Sequence, residues 1–423
     1  MCGICGWFSS VSPDGFDAIE PMVQALSHRG PDAQHTRRVP HAVLGHARLR
    51  VIDPDTGDQP MTDASGRYWI VYNGELYNYR QLRRELAGYP FRTRSDTEVL
   101  LAAWLRWGQD CLNRLRGMFA FALWDTQQKA LFAARDLFGE KPLYYARDPD
   151  GDLLIASELK GLLASGHVDP VLDIEAVDAY LALGFIPPDR TVYRNVHTLP
   201  PAYRLFFDER GLRVERYWHP GLAPEPTTLP AAAERLRELV VRAVQRQLVA
   251  DVPVGAFLSG GLDSSTLVAI MAEQSARRVK TFSVGFGQDI NELPYARAVA
   301  DRWATDHHDI DLGEPDVAEQ LERMAGIYDE PFADTSNIPT YLIAGHARQH
   351  VKVVLTGDGA DELLAGYERY IPLARSIGLQ ASRWHWWVCR LLARGVTRRG
   401  SRFDSLSRAM GLAARWSDPW DRA

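Results

Sequence analysis

Cysteine is scarce in this chain, with four in 423 residues: Cys2, Cys5, Cys111 and Cys389. So few, so scattered, do not make a disulfide framework, and a reducing cytoplasmic setting is expected. Cys2 and Cys5 form a Cys-x-x-Cys pair, but no second pair completes a structural zinc site, and no strand precedes it as in a redox motif. An excess of positive charge is also missing. A net charge of −6 and a pI near 6.1 argue against nonspecific nucleic-acid binding as the main role, so no nucleic-acid partner is expected. No apolar run reaches about 18 residues, which excludes a membrane span. The start lacks a basic segment followed by an apolar one, so no signal peptide is expected. The tryptophan-rich run Trp384-His385-Trp386-Trp387-Val388 is short and reads as a helix packed on its own domain rather than one touching a membrane.

What is present begins at Cys2, one peptide bond behind the initiator. Cysteine is small enough for Met1 to be removed, which would leave a residue carrying both a thiol and a free α-amine. A thiol of pKa about 8.5 beside an amine of pKa about 8 supplies a nucleophile and its base in one residue.

The chain divides by rhythm. Up to about Trp218, short apolar runs alternate with turn residues. Trp69 to Tyr72 reads as a strand entering a hairpin-type turn at Asn73-Gly74. Phe119 to Trp124 with Ala130 to Ala134, and Leu143 to Ala146 with Leu153 to Ala156, read as strand pairs, and helical patterns run near Tyr79 to Leu86 and Thr97 to Trp107. Residues 2–218 are therefore expected to form an α+β domain rich in antiparallel sheet. His219 to Pro230 is rich in proline and glycine and reads as a linker. Across 231–423 strands and helices alternate: strands at Val254 to Leu258, Lys280 to Val284, His308 to Leu312 and Val351 to Leu355, with helices between them. This predicts an α/β doubly wound parallel sheet.

Two loops follow strands of that second half. Ser259-Gly260-Gly261-Leu262-Asp263-Ser264-Ser265 opens a helix, and its backbone N–H groups and hydroxyls make an anion cradle. It lacks the Gly-Lys-Ser/Thr ending of a Walker loop, so γ-phosphate transfer is not its natural chemistry. Asp263 beside a phosphate site calls for a bridging Mg²⁺. In the second loop, Thr356 to Glu362, Asp361 would hold the same Mg²⁺, while Asp358 would act as a general base or orient an amine. The competing reading for each acid alone is a helix N-cap.

These residues resemble the glutamine-dependent asparagine synthetases. Ser259 to Ser265 resembles the family's PP-loop, and Cys2-Gly3-Ile4 resembles the start of its N-terminal-nucleophile glutaminase domain. Further landmarks are His28-Arg29-Gly30-Pro31-Asp32, Arg48-Leu49, Asn73-Gly74-Glu75, Ser95-Asp96, Ala134-Arg135-Asp136, Lys141 to Tyr145, Ser157 to Lys160 and Asp329 to Asp334. The resemblance runs from residue 2 to about residue 370. It implies an αββα sandwich of N-terminal-nucleophile hydrolase type followed by a PP-loop ATP pyrophosphatase domain. It implies that Cys2 attacks the glutamine side-chain amide, with its α-amine as proton shuttle and Asn73 and the Gly74 N–H as oxyanion hole. Arg48 would take the glutamine α-carboxylate, and Glu75 and Asp96 the α-amine. In isolation, Arg48 also fits a surface salt bridge and Asp96 a helix N-cap. ATP would bind at Leu258, Ser259, Gly260, Gly261, Asp263, Ser264, Ser265, Val284 and Gly357. It would activate an acceptor carboxylate, aspartate by default, as an acyl-adenylate. Ammonia would reach that adenylate through an internal path. The resemblance also leaves room for a homodimer.

Two departures are expected to matter. Position 358 is Asp where some members of the family carry Glu. The chain stops at Ala423, where the family continues into a C-terminal helical part, and Arg383 to Arg415 reads as arginine-rich helices instead. The chain is thus expected to be a fragment, or its acceptor site incomplete or reshaped. Two alternatives therefore stand beside the main reading. One is the same chemistry on a sugar acid or peptide carboxylate; the other is a glutaminase with a non-catalytic nucleotide-binding domain.

Overall fold

The computed structural model describes residues 1–9, 16–221, 226–285, 291–311, 316–368 and 370. In the first half the strands are β1 (Gly3–Phe8), β2 (Ala33–Val39), β3 (Ala42–Arg48), β4 (Met61–Thr62), β5 (Tyr68–Leu76), β6 (Gly117–Asp125), β7 (Ala130–Arg135), β8 (Tyr144–Arg147), β9 (Leu153–Ala156), β10 (Val196–Thr198), β11 (Tyr203–Asp208) and β12 (Gly211–Arg216). Its helices are α1 (Ile19–Ala25), α2 (Tyr79–Glu85), α3 (Asp96–Trp107), α4 (Leu159–Leu163) and α5 (Ile174–Leu183). The strands form two six-stranded sheets, ordered β10-β8-β9-β1-β3-β2 and β12-β11-β7-β6-β5-β4, with antiparallel pairing throughout.

Alternation along the strands decides what faces what. Ile4, Phe8 and Leu44 from one sheet meet Val71, Ala122 and Trp124 from the other, so the sheets pack face to face. The outer face of the first sheet is covered by α1 and α4 through Met22, Val23, Leu159 and Leu162. The outer face of the second is covered by α2 and α3 through Leu82, Val99 and Leu100. The expected αββα sandwich is the architecture found. One local reading is corrected. Asn73 and Gly74 do not turn the chain; they continue β5 and pair with Ala120 and Phe119. Glycine is needed here because a Cβ on Gly74 would come 2.2 Å from the carbonyl oxygen of Met118. Close approach of two backbones, rather than a positive φ, selects the residue.

The second half holds α6 (Leu229–Gln247), β13 (Val254–Phe257), α7 (Leu262–Gln274), β14 (Lys280–Gly285), α8 (Leu293–Trp303), β15 (Asp306–Asp311), α9 (Val317–Ile327), α10 (Asn337–Ala347), β16 (Val353–Leu355) and α11 (Ala360–Leu364). Helix α6 begins inside the segment read as a linker: Thr228 caps it through a hydrogen bond from Ala231 N, and Pro230 sits in the first turn, where its missing N–H costs nothing. The four strands run parallel in the order β15-β14-β13-β16. Helices α6, α7 and α8 pack on one face through Val244, Val268, Met271 and Ala296, and α10 packs on the other through Ile343 and Ala347. The chain winds outward from β13 to β15 and then returns to β16 on the opposite side of β13. The strand order therefore reverses between β13 and β16, where ligands of such sheets bind. Leu312, Trp384 to Val388 and Arg383 to Arg415, named above, lie outside the described residues.

Candidate active site

Cys2 directly precedes β1, a strand with every residue buried in the middle of its sheet, which fixes where the thiol can lie. Arg29 holds the main chain there. Its Nε donates to the Cys2 carbonyl at 2.9 Å, and its Nη1 meets Glu158 Oε1 at 2.6 Å. Cys2 Sγ accepts from Leu49 N at 3.4 Å and lies 3.6 Å from Leu49 O. Burial pushes the thiol's pKa up, while the Leu49 hydrogen bond, the chain-start amine and Arg48 pull it down. Burial also lowers the Met1 amine to about 6. Met1 sits at the site itself, its Sδ 3.0 Å from Lys141 Nζ. Cys5 is different: it points into the core beneath α1, where burial raises its thiol far above the usual range.

A cavity of about 320 Å³ opens beside the thiol, lined by Cys2, Arg48, Asn73, Gly74, Glu75 and Asp96, so the six residues expected at the glutamine site converge. Asn73 is 1% exposed and its Nδ2 has no hydrogen-bond partner. A buried amide donor left unpaired at a cavity wall is costly unless something bound there uses it. Asp96 is not the cap of α3. Ser95 is, accepting from Glu98 N. Asp96 instead receives Tyr72 Oη–H at 2.9 Å and Leu76 N–H at 3.0 Å on one carboxylate oxygen. Burial raises its pKa to about 6. Burial, then the charge of Asp96, raises Glu75 to about 8. Two carboxyls sharing a poorly hydrated cavity favour a cation between them.

Arg48 is not a surface ion pair. It is 3% exposed, and its Nη1 and Nη2 bind the carbonyls of Ile52, Asp53 and Pro54 and the carboxylate of Asp58. It therefore shapes the loop that closes the cavity. Gln59 was not visible as a site residue in the sequence. Its Oε1 takes Tyr72 N–H at 2.6 Å and its Nε2 reaches Thr97 Oγ1 at 3.1 Å, bracing the same wall. Lys352, Val353 and Val354 complete the lining from the parallel-sheet half. No local pattern marks them; only the fold brings them to Cys2.

At the carboxyl edge of the parallel sheet, Gly261 caps α7, and Ser259 Oγ lies 2.9 Å from Ser264 Oγ and accepts from Gly261 N at 3.2 Å. Gly260 has φ +81°, and a Cβ there would meet Tyr295 Cβ at 2.5 Å. Ser265 Oγ, in the first turn, is buried without a partner. Free helix N–H groups and an orphan hydroxyl fit a phosphate. A Cβ on Gly357 would lie 3.0 Å from Asp263 Cβ, so the two loops touch, and Asp263 and Asp361 both lie in first turns of helices that begin there. Carboxylate oxygens beside a phosphate cradle suit Mg²⁺. Leu258 is buried at the end of β13, and Val284 is half-buried on β14. Asp358 accepts from Thr356 Oγ1 at 2.8 Å.

A family profile described as glutamine amidotransferase domain matches residues 1–218, and one described as asparagine synthase matches residues 235–421. Asparagine synthetase (glutamine-hydrolyzing) 1 of Bacillus subtilis is 36% identical over 378 residues, covering 88% of this chain and 59% of that protein. Putative asparagine synthetase (glutamine-hydrolyzing) 2 of Methanocaldococcus jannaschii is 38% identical over 396 residues, with 88% and 76% covered. A Penicillium rubens protein named amidase chyE is 32% identical over 378 residues, with 84% and 55% covered. The chain thus spans less than two thirds of the Bacillus and Penicillium relatives.

Proposed function

The chain belongs to the glutamine-hydrolysing asparagine synthetase family, and on that premise we propose that it takes ammonia from glutamine at Cys2 and joins it to a carboxylate activated by ATP. The observation that carries this reading is the unpaired Nδ2 of buried Asn73, in the wall of the cavity that Cys2 also lines. With Met1 removed, the Cys2 amine takes the thiol proton as sulfur adds to the side-chain amide and gives it to the departing nitrogen as ammonia; water then cleaves the thioester, releasing glutamate and restoring the thiol. Asn73 Nδ2 and the Gly74 N–H hold the developing oxyanion. Glu75 and Asp96 receive the glutamine α-ammonium. Arg48 takes the α-carboxylate, with half-exposed Asp58 giving way.

In the second half, the Ser259–Ser265 loop holds pyrophosphate, and Leu258, Val284 and Gly357 border the adenosine. Asp263 and Asp361 would hold Mg²⁺, which would neutralise phosphate charge when bound. Asp358 orients or deprotonates the incoming amine. Aspartate is the acceptor and an acyl-adenylate the intermediate in this reading. We set the glutaminase unit at residues 2–218 and the synthetase unit from 231 onward. Lys352, Val353 and Val354 support a sheltered route, since their segment both walls the Cys2 cavity and leads into the Thr356–Glu362 loop. Shelter matters because free ammonia in neutral water is mostly ammonium, which cannot attack. A second reading changes only the acceptor, and rests on the relative named as an amidase.

Product analysis with labelled glutamine, ATP and a panel of acids tests both readings. Pyrophosphate, glutamate and an amidated acid are expected together, and release of orthophosphate instead would sink the proposal. Cys2→Ala is expected to lose glutamine-dependent turnover and keep ammonia-dependent turnover; loss of both contradicts the two-site scheme. Mass spectrometry of active protein is expected to show Met1 absent.

A further inference from the structure

Three histidines outside both sites meet on the parallel sheet. One ligand nitrogen from each of His308, His346 and His350 lies within 4.8 Å of the others, and all three are half-buried. The fold explains the meeting. His308 sits on β15 opposite Phe282, on the sheet face that α10 covers. His346 is in the last turn of α10, and His350 follows four residues later, in the turn that enters β16. Residues four apart at a helix end share a face. The ring centroids of His308 and His350 are 4.3 Å apart, and those of His346 and His350 5.3 Å. Phe282 stacks on His308 at 5.3 Å, fixing its plane from beneath.

The chemistry of this cluster is incomplete as a purely packed one. His308 Nε2 is buried without a hydrogen-bond partner. The nearest carboxylate oxygen, Asp306 Oδ1, is 3.5 Å from it, and the other oxygen of Asp306 holds Lys280 Nζ at 2.7 Å. Imidazole nitrogens converging on one point suit zinc-class cations, whereas Mg²⁺ selects oxygen. We propose that His308, His346 and His350 bind one divalent transition-metal ion, separate from the nucleotide site, with Asp306 beside the fourth position. Zinc–nitrogen bonds are about 2.0–2.1 Å, so the three side chains close in by roughly an ångström on loading. Such an ion ties edge strand β15 to the end of α10 and to the turn entering β16. Phe282 and His308 lie in the amino-terminal halves of their strands, whereas the serine loop leaves the carboxyl ends, so the ion is structural with respect to ATP chemistry.

The test uses the tag-free full chain, stripped with chelator and titrated without nucleotide. Zn²⁺ is followed by calorimetry and Co²⁺ by visible absorption. Expected are one ion per chain and cobalt d–d bands with no thiolate charge-transfer band. His346→Ala and His350→Asn are each expected to weaken binding at least about tenfold. His307→Ala is the control. It lies on the opposite face, bonded to Thr281 Oγ1, and should leave affinity within about twofold. His350 follows the helix, so His350→Asn decides the matter if His346→Ala fails to fold. Substoichiometric binding, an unchanged affinity in His350→Asn, or a thiolate band would overturn the proposal.

Discussion

Glu75 shows how a single residue in the Cys2 cavity is tuned against folding. Burial, then the charge of Asp96, raises its pKa from 4.5 to about 8. Below about pH 4.5 the side chain is protonated whether the chain is folded or not, and it costs nothing. As pH rises, the unfolded chain gives up its proton while the folded one holds on until about pH 8. Stability therefore falls across that window, and the full cost stands above it. Glu75→Gln keeps the shape and removes the titration. It is expected to be more stable than the parent by on the order of 1 kcal/mol at alkaline pH, with no gain in acid. Thermal melts across this range check it; a gain that does not grow with pH would refute the assignment. The same variant is expected to raise KM for glutamine, because an amide oxygen accepts a hydrogen bond from the proposed α-ammonium but brings it no negative charge. A residue that weakens the empty fold and strengthens the loaded one belongs to a binding site.

At the scale of elements, the serine loop depends on how closely α8 approaches it. Gly260→Ala places a methyl 2.5 Å from Tyr295 Cβ and 2.6 Å from Ala296 N, at φ +81°. A left-handed alanine costs roughly 1–2 kcal/mol and overpacking about 1–3 more, so the loop must move off α8. Pyrophosphate release is expected to fall at least about tenfold, while glutamine hydrolysis at Cys2 in the sandwich stays unchanged. Parallel assays of the two half-reactions check this, and equal losses in both would contradict it. Elements of this kind were largely legible. Apolar runs between turn residues marked β6, β7, β9 and β13, because a strand buried on both faces has few polar residues to confuse the pattern. The Asn73-Gly74 pair misled because a turn dipeptide and a strand glycine look alike; the Met118 carbonyl that decides between them is 44 residues away in the chain. For Asp96 the competing helix-cap reading fails, and the cavity position is the one found. Two polar residues precede the apolar stripe of α3, and which of them caps depends on Tyr72 and Leu76 drawing the second away.

For the molecule as a whole, what the sequence left dark is the joint between its halves. Lys352 Nζ reaches Asp32 Oδ2 at 2.6 Å, and the same oxygen accepts Arg50 N–H at 2.8 Å, two residues from Arg48. Asp251 closes the same side, accepting from Asp53 N at 2.9 Å and donating its own N–H to Val51 O at 3.2 Å. Across the joint, Lys160 pairs with Asp329 at 3.2 Å, and Glu330 accepts Val192 N–H at 2.7 Å. None of these pairs is close in sequence, so no spacing could announce them. Lys352 is partly exposed, and its ion pair contributes at most about 1 kcal/mol, so Lys352→Met is expected to fold normally. Its effect lies elsewhere, because the segment it anchors is both a wall of the Cys2 cavity and the lead into the second nucleotide loop. On the proposed route, a wall freed from Asp32 would open the path to bulk water. Each half-reaction measured alone is expected to stay within about twofold. Glutamate formed per amidated product is expected to rise, as ammonia escapes and is protonated before use. The stoichiometry of labelled glutamine consumed to product formed reads this directly. An unchanged ratio would show that the two halves exchange nitrogen by a path this joint does not guard.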